Sequence, residues 1–548
     1  MNQSGSQSIE QATTAIQAQP DSKTRRYDRQ LRLWAASGQA ALESSRILVL
    51  SASATSTSIL KNLVLPGIGH FTILDPGTVT GADAGNNFFL NGFSSIGKSR
   101  AKEALPLLKE LNDSVDGEAA VKSVEEILGS AEGRQWVKSF SLVITHNLPQ
   151  TPLDALSKLL WEELEDPPLI VVRSAGFLAD FYIQFREQCI IESHDETAPP
   201  SLRLTKPFPA LQEWATNLDI SNIDPTEHAH IPFIVLLIKE ADQWRSEHNG
   251  SLPKTYDEKK EFKKHIRSRM VKMDEENFEE AENQAFRMWS EAKIPSDIAA
   301  LFDLEPLQQP ISSSSTSQPN GVTKSPHKLN PEFHALLQAL HKFVTSPDGP
   351  GCLPLSASLP DMKTDTTSYV KLQTIYKDWA AVELAKFKEI LKAEYPDLTI
   401  DKAVVDSFVK HAHQIKVLRG KRFGSWEEDK TAVAQALDSY PQETATRLAL
   451  NALSTLLHHN PDPTSITAEA LKTEVQSQVG QGVELPSSLD DAVGELARAP
   501  TADLPNTAAF VGGMIAQEAI KMITKQYVPV NGYCVVDLVE SKTGIIAN

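Results

Sequence analysis

The sequence predicts an α/β protein whose parallel-stranded core is interrupted by a large, mainly helical insertion. Three observations carry this. Arg46-Ile-Leu-Val-Leu50, a run rich in β-formers, passes through Ser51-Ala-Ser-Ala-Thr-Ser56 into Thr57–Leu65, where apolar residues recur at helical spacing; Gly67-Ile-Gly69 then turns the chain into Phe71-Thr-Ile-Leu-Asp75. Strand, turn, helix and a second strand ending in a carboxylate is the layout of a dinucleotide-binding βαβ unit. Further buried parallel strands are read at 141–145 and 169–172, and α/β character returns near the chain end. Between about 205 and 495 the chain changes to long charged segments of helical period.

The elements follow in order. Residues 1–22 are rich in Gln, Ser, Ala and Thr and read as a disordered tail. The first part of the α/β domain spans 23–205, with order beginning near Tyr27. Ala101–Leu111 reads as a helix despite Pro106, and Phe181–Phe185 as an edge or antiparallel strand. The helical insertion spans 206–495; Phe233–Trp244 and Val382–Leu391 exemplify its helices, and the Ser/Gln/Pro-rich 308–330 stretch reads as a flexible loop. The α/β domain resumes over 496–548, with a helix at Thr507–Ile523 carrying a small-residue face and a strand at Gly532–Asp537. One domain interrupted by an insertion explains this order.

The totals exclude several classes. At 548 residues the chain exceeds one core. It is 41% apolar and 23% charged, and no apolar run reaches the ~18 residues of a membrane span. Three cysteines, Cys189, Cys352 and Cys534, make no disulfide framework, which fits a reducing cytoplasmic and nuclear location. A net charge of −18 argues against a general nucleic-acid binder.

The turn after the first strand is the informative motif. Ser51, Ser53 and Ser56 stand where G-x-G-x-x-G would place glycines, and Asp75 follows by about 24 residues, near the usual ~20. A serine adds a Cβ where only glycine lets backbone close on a phosphate. Gly92-Phe-Ser-Ser-Ile-Gly97-Lys98-Ser99 matches the phosphate-cradling G-x-x-x-x-G-K-[ST] pattern, but a polar, turn-like segment precedes it, so Lys98 reads as a solvated helix-start lysine or a relic phosphate contact. Cys352 has no Lys, Arg or His close in sequence to activate it, and Cys189 and Cys534 read as core. The pairs His228/His230, His411/His413 and His458/His459 read as surface positions; no metal site is read in the chain. Arg25, Arg26, Arg29 and Arg32 form a basic start that is either a solvated face, paired with Asp28 and Glu43, or an arm reaching a phosphate in trans.

Tyr27-Asp-Arg-Gln-Leu-Arg-Leu-Trp34, Leu60–Gly69, Asp83-Ala-Gly-Asn-Asn-Phe-Phe-Leu90 and Ser95-Ile-Gly-Lys98 together resemble the ubiquitin-activating-enzyme family, closest to its regulatory, non-catalytic neddylation branch. The likeness continues through Ile191-Glu-Ser-His194, Leu204–Pro209, Ile294–Ser296, Leu359–Met362, Ala508–Gly513 and Ile520–Gln526. It implies a Rossmann-like ThiF adenylation fold, with the insertion as a cysteine domain lacking its cysteine. In such a family an active half binds ATP and Mg and adenylates a ubiquitin-like modifier. Here the cradle is serine-rich, Asp75 keeps the ribose-type acid, Asn86 stands where an active half has arginine, and His146-Asn147 lacks the metal-holding aspartate. The resemblance therefore implies a half that binds no cofactor and is inactive alone. It would support a catalytic subunit of the neddylation-activating enzyme as heterodimer partner, with ATP and Mg in that partner and Arg29 crossing over to the ATP. A SUMO-type counterpart, a self-sufficient enzyme using Cys352 and a pure scaffold stand as alternatives.

Overall fold

The computed structural model describes residues 22–192, 201–304, 330–347, 349–480 and 482–547. Nearly all of the expected tail (1–22) and loop (308–330), with Ser193 and His194, lie outside the described residues. The rest falls into two compact units, one built from the chain up to Gln188 and again from Arg419, the other from Cys189–Leu418.

The first unit is built on β1 (Arg46–Leu50), β2 (His70–Leu74), β3 (Asp116–Ala120), β4 (Leu142–His146), β5 (Leu169–Ala175) and β6 (Leu178–Gln184). Beyond these, β7 (Glu187–Ile190) and β8 (Lys416–Arg419) make a separate two-stranded sheet, and β9 (Gly532–Asp537) and β10 (Lys542–Ala547) rejoin the main one. Its order is β10-β9-β6-β5-β4-β1-β2-β3. β3-β2-β1-β4-β5 run parallel, and β6, β9 and β10 each pair antiparallel. The antiparallel reading of 181–185 holds, but β6 lies inside the sheet, between β5 and β9, and is buried along its length. β1, β2, β4 and β5 are the apolar runs that read as buried parallel strands, with nearly all of their residues inside.

Five helices position the site: α1 (Ser22–Ser44), α2 (Ala54–Val64), α3 (Arg100–Lys109), α4 (Pro441–His459) and α5 (Pro505–Thr524). α3 keeps its helix through Pro106. α1 breaks at Trp34–Ala35, where Ala35 takes φ +54°. α5 packs on α2 through a glycine: a Cβ on Gly512 would stand 2.5 Å from Ser58 Oγ.

The unit's boundary differs from the expected 496. α4 and the helices Ala468–Val479 and Ser488–Arg498 bury Leu448, Leu453, Leu471, Val475, Val493 and Leu496 in one core with Leu48, Val143, Val171 and Val535 of the sheet. The chain re-enters the α/β unit at 419 instead, and leaves it at 188 instead of 205. Helical period identifies a helix but not the body it packs on.

The second unit is helical, with two cores. One gathers around the helix Phe233–Glu247, the other around Pro331–Thr345. The long helix Thr366–Glu394 gives Leu372 and Tyr376 to the first and Phe387 to the second. Arg203 and Glu383 form a buried ion pair at 2.8 Å, and Glu383 also accepts the Leu355 N–H at 2.9 Å.

Candidate functional site: a nucleotide half-site closed on itself

The turn between β1 and α2 keeps the path of a phosphate-binding loop with the wrong residues. Ser51 takes φ +123°, a backbone region that favours glycine, while its N–H stays bonded to Leu74 O at 3.1 Å. Its hydroxyl accepts the Ser53 N–H at 3.1 Å. Ser53 is the N-cap of α2: its Oγ accepts the Ser56 N–H at 3.1 Å and lies 3.0 Å from Ser56 Oγ. Thus the three serines are spent on the turn and the first turn of the helix.

The N-terminus of α2 already faces an anion. Asp503, just before α5, accepts the Thr55 N–H at 3.2 Å and the Thr55 hydroxyl at 2.6 Å, one bond to each oxygen. Exposed backbone N–H groups and the helix dipole make such an end a place for negative charge. Here the chain supplies that charge.

Asp75, 2% exposed, is committed as well. It accepts the N–H groups of Ala52 and Gly77 at 2.6 and 2.7 Å, and a two-pronged pair from Arg100 at 3.0 and 3.2 Å. Burial works against the Arg100 charge, but Asp75 and Asp83 outweigh it and hold its pKa above the ordinary value. A ribose hydroxyl would have to displace these bonds.

Asn86 ends the short helix Gly81–Asn86, half-buried. Its neighbour Asn87 reaches the loop instead, donating to Ala52 O at 3.0 Å and accepting from Thr57 Oγ1 at 2.9 Å. His146 Nδ1 lies 2.7 Å from Ser53 Oγ and its Nε2 2.8 Å from Ser174 Oγ. Burial pushes this imidazole below its usual pKa, with Asp503 pulling the other way. Asn147 makes two bonds with the Ser174 backbone. Beside these groups lies a cavity of about 510 Å³, lined among others by Ser51, Ser53, Asn147, Asp503, Leu450 and Leu453.

Asp503, Arg100 and Asn87 escaped sequence reasoning. Arg100 has a legible signal, an arginine at a helix start following an acid-ended strand. Asp503 has none, because 448 residues separate it from Thr55.

Other candidates resolve individually. Lys98 is 56% exposed and pairs with Glu103 at 3.5 Å; a 3₁₀ turn, Gly92–Ser95, precedes it where a P-loop needs a strand. Cys352 is buried, and that burial pushes its thiol pKa up, opposite to a nucleophile's need. Cys534 is core, its thiol raised to about 12 by burial, whereas Cys189, expected in the core, is only half-buried. His228 departs from its expected surface position: it is buried, 2.8 Å from the equally buried Glu275. That bond gives the imidazole a partner inside, which sequence spacing does not reveal. His413 is half-buried, bonded to Pro354 O at 3.0 Å. Among the described residues no three His, Cys, Asp or Glu stand together as a metal cluster.

The basic start divides by role. Tyr27 is buried, its hydroxyl accepting Asn112 Nδ2 at 2.9 Å. Gly67, at φ +89°, makes room for it, since a Cβ there would stand 2.6 Å from the Tyr27 oxygen. Arg26 donates to Asn112 at 2.6 Å, Arg32 pairs with Asp28 at 3.0 Å, and Lys23 is the partner of Glu43 at 2.8 Å. Arg29 is exposed and makes no hydrogen bond or ion pair with the described residues. Because Asn112 also bonds Val64 O, Tyr27 anchors this segment at the C-terminal end of α2, about 16 Å of helix away from the turn. Arg29 does not line the cavity beside the turn.

Residues 27–146, from Tyr27 to the end of β4, match the ThiF family. The NEDD8-activating enzyme E1 regulatory subunit of Xenopus laevis is 35% identical over 531 residues, spanning 93% of this chain and 96% of that one. The regulatory subunit of Danio rerio is 34% identical over 533 residues, with the same coverage. The chain belongs to the NEDD8-activating enzyme E1 regulatory subunit family. A plant relative, AXR1 of Arabidopsis thaliana, is 31% identical over 565 residues and spans 98% of this chain and 99% of its own. Likeness to the NEDD8-activating enzyme E1 regulatory subunits thus runs through the helical unit as well as the ThiF stretch. The residues at the turn do not fit a bound nucleotide: Asp503 takes the helix end, Arg100 holds Asp75, and the serines bond within the turn.

Proposed function

We propose that this chain is the regulatory, non-catalytic subunit of a heterodimeric enzyme that activates a ubiquitin-like modifier in neddylation. It binds no cofactor itself. ATP and Mg sit in a catalytic partner subunit, which adenylates the modifier and takes it as a thioester, and Arg29 of this chain contacts that ATP. The assembly works in the cytoplasm and nucleus. One observation carries the reading: the polar groups of the half-site are committed within this chain, while Arg29 stands exposed, without a partner among the described residues, on a segment anchored by Tyr27. An arginine so placed can stabilise phosphoryl charge in trans without a proton transfer.

The test is modifier-dependent pyrophosphate exchange by the reconstituted heterodimer. Arg29→Ala leaves the heterodimer intact and slows exchange by roughly 10²–10³, as for other preorganised charge stabilisers. An unchanged rate removes Arg29 from the site and leaves the chain as a scaffold.

A further inference from the structure

The segment before α5 is held independently of any ligand. Gly176 donates its N–H to Ala502 O at 2.9 Å, and Thr507 returns a hydroxyl bond to Gly176 O at 2.7 Å. Asp503 lies between these two tethers, so its carboxylate is fixed where it meets the N-terminus of α2. Thr55, which receives it, is fully buried. Both Thr55 donors are satisfied, one by each carboxylate oxygen. The loop path remains glycine-like at Ser51, and the cavity of about 510 Å³ lies in the range of small-molecule sites. Space and backbone path are therefore present; what is changed is the charge that meets an incoming anion.

We propose that Asp503 is an internal ligand that locks this half-site against phosphates, its carboxylate holding the place on the α2 N-terminus that a bound phosphate would take. Arg100 completes the lock by holding Asp75. The charged groups around the cavity balance: Asp83 and Asp503 face Arg100 and Arg173, with His146 and His458 beside them. Arg100 is engaged by the two acids Asp75 and Asp83, and Arg173 by Asn451 and Gln150, so an arriving phosphate meets the Asp503 charge at the helix end. The exclusion is electrostatic, and removing one carboxylate reverses it.

The experiment titrates inorganic pyrophosphate into the full chain, without its partner, and reads calorimetric heat and melting temperature. The wild-type chain shows no saturable response. Asp503→Ala and the near-isosteric Asp503→Asn melt lower in plain buffer, and pyrophosphate raises their melting temperature saturably. They saturate at pyrophosphate concentrations at least about tenfold below the highest at which the wild type fails to respond, the scale of one close like charge removed. Adding Thr55→Val to Asp503→Asn abolishes the gain, which separates this helix end from general surface binding. A folded Asp503→Asn chain that binds pyrophosphate no better than wild type overturns the proposal, as does wild-type binding of equal strength. Neither outcome depends on whether Arg29 acts in a partner's site.

Discussion

Ser51 holds a backbone conformation that costs a non-glycine residue on the order of 1–3 kcal/mol. Its hydroxyl repays part of that by accepting the Ser53 N–H. The two effects rank the substitutions: Ser51→Ala keeps the strain and loses the bond, while Ser51→Gly loses the bond and the strain together. Ser51→Ala is therefore expected to melt below Ser51→Gly, and the reverse order in a thermal melt would mean the turn is unstrained. His146 gives a second expectation. Its pKa is lowered by burial, so as pH falls below about 6.5 the unfolded chain takes up a proton that the folded chain refuses. Stability from this group is whole above that value and is lost on the acid side. His146→Gln should flatten the decline of denaturant midpoint between about pH 6.5 and 5. At this scale the sequence showed where the glycines were missing and that Asp75 remained. It could not show that Asp503 fills the gap, since 448 residues separate it from Thr55; Arg100, only 25 residues from Asp75, left a signal at its helix start.

Elements were legible in proportion to their burial. β1, β2, β4 and β9 are apolar runs whose ends match the sequence reading within a residue or two, β5 runs three residues past its expected end at 172, and α2 and α5 follow from helical spacing. β3, Asp-Gly-Glu-Ala-Ala, and β10, Lys-Thr-Gly-Ile-Ile-Ala, were not read, because both are edge strands with exposed or polar faces and little periodic signal. The small-residue face of α5 proved to be a contact surface, and it supports a prediction of its own. Gly512→Ala places a Cβ 2.5 Å from Ser58 Oγ and 3.0 Å from the Ser58 backbone. The overpacking should cost about 1–3 kcal/mol in urea unfolding. Ser58→Ala alongside should recover only part of it, because the Ser58 Cβ itself would stand 2.8 Å away.

Across the whole molecule, the α/β unit is discontinuous in sequence, and its second part begins with helices whose charge and helical period place them, in sequence, with the insertion. Those helices supply the apolar cover of the sheet's central strands. A chain ended at Leu418 would lose β9, β10, α4 and α5, leaving β6 without one neighbour and α2 without its partner. Such a chain should lack the cooperative calorimetric transition of the α/β unit; a truncated chain that kept it would show that the first segment folds alone.

The torsion at Ser51 also bears on ancestry. Protein backbones diverge more slowly than the side chains they display, so a chain can abandon every letter of a binding signature while its dihedral angles go on describing the ancestor's ligand. Divided enzymes whose idle half has drifted beyond motif recognition would then still be traceable by pairing one left-handed non-glycine after a first strand with a carboxylate from far along the chain.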